Sequence, residues 1–124
     1  MKLILIVGLG SFLGGIFRYL LSFFVQAKVN VAFPFGTLVV NLLGCFAIGI
    51  IFALSERHIL SHDWKLFLAT GICGGFTTFS AFSSETFSML RSAQYGHVAI
   101  YIIASVLLGL LFTFLGYLIP RIFV

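Results

Sequence analysis

Charge is nearly missing from this chain. Of 124 residues only 8% are charged, and only three are acids. A soluble domain of this size needs a polar surface, and so little charge does not cover one. A soluble enzyme and a disordered tail are thereby excluded. The net charge of +4 rests on seven Lys and Arg against those three acids. They form no cluster, so no phosphate-binding stripe exists and no nucleic-acid partner is expected. Cysteine is also scarce. Cys45 and Cys73 both sit inside apolar runs, where thiols act as small buried hydrophobes rather than as a disulfide. The two prolines punctuate the chain: Pro34 suits a first helical turn, and Pro120 closes the last apolar run.

Apolar residues are what is there. They make up 61% of the chain, and the mean hydropathy is +1.22. The composition is that of an integral membrane protein. A helix needs about 20 apolar residues to cross the hydrocarbon core, so four take about 80 to 90 residues and leave only short loops. The expected fold is all-α, one four-helix transmembrane domain over residues 1–124. Its spans run at about 3–25, 34–54, 65–91 and 97–119. Lys2 followed by the run Leu3 to Phe17 resembles a signal peptide. Arg18-Tyr19 follows in place of a small-residue cleavage site, so a retained first span is expected.

Four spans put both termini on one side. Lys2, Arg57, Lys65 and Arg121 lie on that side; Lys28, Arg91 and, near the end of span 1, Arg18 lie on the other. This balance gives the insertion machinery little instruction. Either one orientation wins narrowly, or both are inserted and pair as an antiparallel dimer. Four packed helices also leave a side-chain-filled core, so a polar path calls for a second subunit. Gly10, Ser11, Gly14 and Gly15 of span 1, with Gly44 and Gly49 of span 2, give flat faces for close approach. They serve either a partner or packing within the chain.

Span 3 carries the strongest signal: Gly71-Ile72-Cys73-Gly74-Gly75-Phe76-Thr77-Thr78-Phe79-Ser80-Ala81-Phe82-Ser83-Ser84. Three glycines within five residues and then two threonines make a poor helix. Thr78 is midway between Lys65 and Arg91, so the weak segment falls at the bilayer centre. A break is favoured over a kinked continuous helix. Unwound backbone is tolerated there only inside protein or beside a cavity, and its freed carbonyls suit a small hard cation. In an antiparallel dimer two breaks meet at mid-depth. Two carbonyls from each chain could then hold a monovalent ion such as Na⁺. No carboxylate lies at that depth, which disfavours a divalent ion.

Phe79 and Phe82, at i and i+3, share a helix face beside the hydroxyls of Ser80, Ser83 and Ser84. Most of the 16 phenylalanines must face lipid or core, but these two border a polar track. A ring edge is positive and attracts an anion without trapping it. Asn41, with Thr37 four residues before it, can donate to an anion or fix helix packing. Tyr101 and Ser105 add two hydroxyls on span 4 and equally suit packing. Arg18 lies about 22 Å along its helix, where it snorkels or lines a vestibule. Glu85, the only acid within a span, faces a vestibule or pairs with Arg18. His58, His62 and Asp63 could be drawn as a metal site, but no cysteine joins them.

Three stretches together resemble the CrcB/Fluc family of bacterial fluoride channels. They are Gly10-x3-Gly14-Gly15-x2-Arg18-Tyr19, Pro34-x-Gly36-Thr37-Leu38-x2-Asn41-x2-Gly44, and the span 3 run from Gly71 to Phe82. The resemblance implies a dual-topology antiparallel homodimer with two fluoride pores in a bacterial plasma or inner membrane. It implies that Phe79 and Phe82 form the fluoride-contacting phenylalanine box and that Asn41 is the pore asparagine. Tyr101 and Ser105 match polar positions of span 4 by spacing only. Gly74 and Thr77 match the main-chain ligands of a central structural Na⁺, and Arg18 and Glu85 match vestibule positions. Ala81 stands where the family usually has Thr, which removes one hydroxyl from the track.

The expected function is passive, fluoride-selective conduction that relieves the cytoplasm of fluoride. A fluoride path must replace water with donors, and a narrow one penalises chloride. No nucleotide site or protonatable relay suggests pumping, and no enzyme activity is expected. A small dual-topology proton-coupled multidrug exporter shares the size and the four spans. It needs a membrane-buried carboxylate, and span 1 has none. A non-conducting structural subunit accounts for the glycines but not for the central polar residues.

Overall fold

The computed structural model describes residues 1–124. It is all helix and turn. Helix α1 spans Lys2–Lys28 and α2 Phe35–Glu56. The third segment is composite: a short α3 (His62–Lys65), a π-helical stretch Leu66–Cys73, a single turn α4 (Gly74–Phe76), then α5 (Phe79–Arg91). Helix α6 spans Tyr95–Phe123. Four segments are long and apolar enough to cross a membrane: α1, α2, His62–Arg91 taken together, and α6. At 1.5 Å per residue, the 22 residues of α2 reach about 33 Å, against a hydrocarbon core of about 30 Å.

The third segment departs from α geometry twice. Eight residues from Leu66 to Cys73 form a π-helix, a rare wide form that concentrates at functional sites. Thr77 (φ −83°, ψ 155°) and Thr78 (φ −149°, ψ 121°) are then fully extended. The helix stops at Phe76 and restarts at Phe79. The sequence's glycine-threonine run thus produces a real interruption of the helix.

Packing alternates along the chain. Helix α1 lies chiefly on the π-helical stretch and α4, and α2 lies chiefly on α6. Glycine makes the first contact possible. A Cβ at Gly10 would stand 2.6 Å from the Phe67 carbonyl oxygen and 2.8 Å from Gly71 Cα. One at Gly75 would stand 2.5 Å from the Ser11 carbonyl oxygen. Gly14 faces Ile72 and Phe76 backbone in the same way, and Gly49 and Gly116 bring α2 and α6 together. Gly44 sits under the Thr77 side chain. The small-residue faces are therefore spent on packing within the chain, while Gly15 meets nothing.

Both interhelical turns that follow α2 and α5 end in the same motif. His58 (φ 56°) and Ala93 (φ 55°) adopt the left-handed conformation. Ile59 N–H returns to Leu54 O and Gln94 N–H to Met89 O, both at 2.9–3.1 Å. These are Schellman closures. Gln26 organises the remaining turn. Its amide donates to the Val31 and Phe33 carbonyls and its oxygen accepts from Gly36 N–H. The buried core of Phe33, Leu38, Met89, Val98 and Tyr101 sits at this end, away from the termini. At the opposite end Lys2 pairs with Asp63 at 2.5 Å. There Tyr117 donates to Glu56 at 2.7 Å, and the Arg121 guanidinium lies 4.4 Å above the Tyr117 ring. Both cysteines are free.

Candidate ion pathway

The interrupted helix is held by one side chain from α2. Asn41 Nδ2 donates to the Thr78 carbonyl at 3.1 Å, and Asn41 Oδ1 accepts from Thr78 N–H at 2.8 Å. The amide thus pairs with an extended peptide as a neighbouring β-strand would. Thr78 also starts the next helix: its hydroxyl caps Ala81 N–H at 3.1 Å, the ordinary N-cap arrangement. These bonds redirect the backbone. Thr78 N–H no longer reaches Gly74 O, four residues back, and Ala81 N–H no longer reaches Thr77 O. Gly74 and Thr77 therefore carry carbonyls whose usual donors have gone elsewhere. Thr77 N–H and hydroxyl both go to Cys73 O at 2.9 Å.

A cleft of about 450 Å³ opens beside this break. Asn41, Gly74, Thr77, Phe79, Phe82 and Ser105 all line it. The Phe79 and Phe82 rings lie 5.7 Å apart, as their i, i+3 spacing requires, and Phe82 lies 5.0 Å from the Tyr101 ring. Phe79 is 79% exposed, so the cleft opens sideways onto whatever surrounds the chain. Ser80, Ser83 and Ser84 are exposed on the same helix. Ser80 Oγ lies 3.2 Å from Thr78 Oγ1.

One turn further along α5, Glu85 joins three helices. Thr37 of α2 donates to its Oε1 at 2.6 Å, and Tyr101 of α6 donates to its Oε2 at 2.7 Å. Thr37 is 5% exposed and Tyr101 is fully buried. A carboxylate with a hydroxyl on each oxygen has its strongest lone-pair sites engaged by charge-assisted bonds. The structure does not pair Glu85 with Arg18; the ion pairs present are Lys2–Asp63 and Arg121–Glu56. Arg18 is half-buried on α1 and outside the cleft. The His58, His62 and Asp63 side chains do not assemble into a metal cluster.

The residues picked from sequence thus fall into three sets. Asn41, Phe79, Phe82, Ser105, Gly74 and Thr77 share the cleft; Thr37, Tyr101 and Glu85 form the adjoining clamp; exposed Ser80 touches the cleft only through Thr78, exposed Ser83 does not line it, and half-buried Arg18 lies outside it. Thr78, which has no role of its own in the sequence pattern, anchors Asn41 and caps α5. Its place at the end of the run Gly74-Gly75-Phe76-Thr77-Thr78 is the available signal. Cys45 and Cys73, read as inert fillers, also line the cleft.

Can such a groove conduct? It offers amide and hydroxyl donors, positive ring edges and no fixed cation. Weak, multiple contacts of this sort let an anion enter and leave. Comparison with known proteins points the same way. Residues 5–117 match the family model described as CrcB-like protein, Camphor Resistance (CrcB). A protein of Leptospira interrogans named fluoride-specific ion channel FluC is 47% identical over 93% of this chain and 91% of its own length. Proteins of the same name from Phocaeicola vulgatus and Thermus thermophilus are 44% and 47% identical, again over about nine-tenths of both chains. With that coverage, and with the interrupted helix and its phenylalanine pair in place, this chain belongs to the CrcB family.

Proposed function

We propose that this chain is a fluoride-selective, passive anion channel of a bacterial plasma or inner membrane, exporting cytoplasmic fluoride down its gradient. The observation that carries the reading is the cleft in which Phe79, Phe82, Asn41 and Ser105 converge beside the helix break. The names of the relatives supply the ion. Fluoride is small, strongly hydrated and a strong acceptor. It gives up water only where donors replace it, and here Asn41 retains one amide proton after binding Thr78. Larger chloride fits fewer of those donors. Ser80 and Ser83 extend the hydroxyl track, Thr37 and Tyr101 border it with their protons on Glu85, and Glu85 and Arg18 belong to its vestibules.

The working unit on this reading is an antiparallel, dual-topology homodimer. Its support is the side of the cleft that the chain leaves open. The Phe79 ring and the hydroxyls of Ser80, Ser83 and Ser84 are exposed on this side, and lipid tails do not hydrogen-bond to hydroxyls. A second copy covers them. With the break at mid-depth, the two copies bring their Gly74 and Thr77 carbonyls together. Those four oxygens are hard, neutral donors without hydrogen-bonded partners at Thr77, a set suited to a structural Na⁺. The ion would hold the two breaks against each other.

Purified protein in liposomes loaded with fluoride tests the function, with an electrode reading efflux and chloride measured alongside. Rapid fluoride release with little chloride is expected, and F79A and F82A slow it. Release of neither ion from folded dimers would sink the channel reading.

A further inference from the structure

We propose that Asn41 is a positioning residue that keeps the helix break open, and that a cation at the break depends on its side-chain oxygen rather than on its amide protons. The inference rests on the channel reading above but concerns a different event from conduction.

The geometry is local. Thr78 N–H has two possible acceptors. One is Gly74 O, four residues earlier, which would continue the α-helix. The other is Asn41 Oδ1, which it takes at 2.8 Å. Only the second choice leaves the Gly74 carbonyl without its i+4 donor. Asn41 strengthens that choice by donating to Thr78 O at 3.1 Å, so both polar groups of one residue are captured. A single extended peptide with no such partner would be expensive in a membrane, where unsatisfied backbone cannot turn to water. Remove the Asn41 carboxamide, and the cheapest repair is for Thr78 N–H to return to Gly74 O. Helix closure then takes away a carbonyl that a cation at the break would use. Gly44, one turn beyond Asn41 on α2, leaves room for the Thr77 side chain at the break: a Cβ there would collide with Thr77 Cγ2.

The two halves of the Asn41 carboxamide therefore do different jobs. Its oxygen selects the open backbone. Its remaining N–H serves the anion. Asparagine supplies both, and simple substitutions separate them. Aspartate keeps an oxygen for Thr78 N–H but loses both the bond to Thr78 O and the proton left for the anion, and leucine keeps none of the three.

The test is thermal unfolding of purified dimers in NaCl against N-methyl-D-glucamine chloride, alongside fluoride efflux. Wild type is expected to melt at higher temperature in Na⁺. Asn41→Leu is expected to need at least tenfold more Na⁺ for the same stabilisation, or to lose it. Asn41→Asp keeps the acceptor for Thr78 N–H but not the bond to Thr78 O, and is expected to keep a Na⁺ response shifted less than that of Asn41→Leu while its fluoride efflux falls to the level of empty liposomes. Should Asn41→Leu fail to fold, Asn41→Asp decides alone. A wild-type Na⁺ response in folded Asn41→Leu, or its loss in folded Asn41→Asp, overturns the positioning role and leaves the channel reading standing. Wild type indifferent to Na⁺ overturns both the cation site and this role, whereas wild type that does not pass fluoride overturns the channel.

Discussion

Removing one oxygen atom at Tyr101 is the sharpest probe of the clamp on Glu85. Tyr101→Phe keeps the ring, which packs 5.0 Å from Phe82 and 5.5 Å from Phe33 between centroids. Packing is therefore nearly unchanged, and what goes is the 2.7 Å bond from the hydroxyl to Glu85 Oε2. Hydrogen bonds to charged groups contribute about 1.5–3 kcal/mol. Tyr101 is fully buried, so water does not restore the lost partner at its position. The expected loss is about 2 kcal/mol. That corresponds to roughly thirtyfold in the folding equilibrium. Reversible unfolding in mixed micelles measures it. Tyr95→Phe is the control, because Tyr95 is 66% exposed at the start of α6 and a change below about 0.5 kcal/mol is expected there. If Tyr101→Phe is as stable as Tyr95→Phe, the hydroxyl is not engaged and the clamp argument fails. Fluoride efflux from Tyr101→Phe liposomes should fall as well, since Glu85 loses one of its two tethers.

Other consequences are quickly tested. Ala93 holds a left-handed conformation that glycine adopts freely, so Ala93→Gly should raise stability by about 1 kcal/mol, read as a higher melting temperature. Gly14→Leu drives a side chain into Ile72 and Phe76 backbone; a loss of about 3 kcal/mol or more is expected, seen as loss of folded protein in detergent by size-exclusion chromatography. Lys2→Met breaks only an exposed ion pair, with side chains 76% and 40% exposed, and should cost less than about 1 kcal/mol in the same melt.

The sequence speaks most clearly where backbone chemistry is local. Gly71, Gly74, Gly75, Thr77 and Thr78 are poor helix formers in succession, and the chain breaks among them. The apolar runs mark four helices because hydropathy over some twenty residues leaves few alternatives. Long-range partners are another matter. Nothing in the spacing of Thr37, Glu85 and Tyr101 says that two hydroxyls from different helices meet one carboxylate. An acid in a span is equally compatible with an arginine partner, the pairing with Arg18 weighed from the sequence. Asn41 was legible as a polar residue, but its pairing with Thr78 depends on the register of α2 against the break. The π-helical stretch left no mark either, since Leu66–Cys73 has no composition that separates it from an α-helix.

The alternating pattern of helix contacts governs how the chain can be made. Gly10 waits for Gly71, and Gly49 waits for the backbone around Thr113 and Tyr117. Each partner is emitted by the ribosome some sixty residues later. The first two helices therefore enter the bilayer with their grooved faces uncovered, and only the last helix completes the set. Such distant pairings are slow to form, and a nascent chain halted before Tyr95 would offer α2 no lasting mate. A premature stop within α6 removes the backbone around Thr113 and Tyr117 that covers Gly49, and leaves that face of α2 open to lipid.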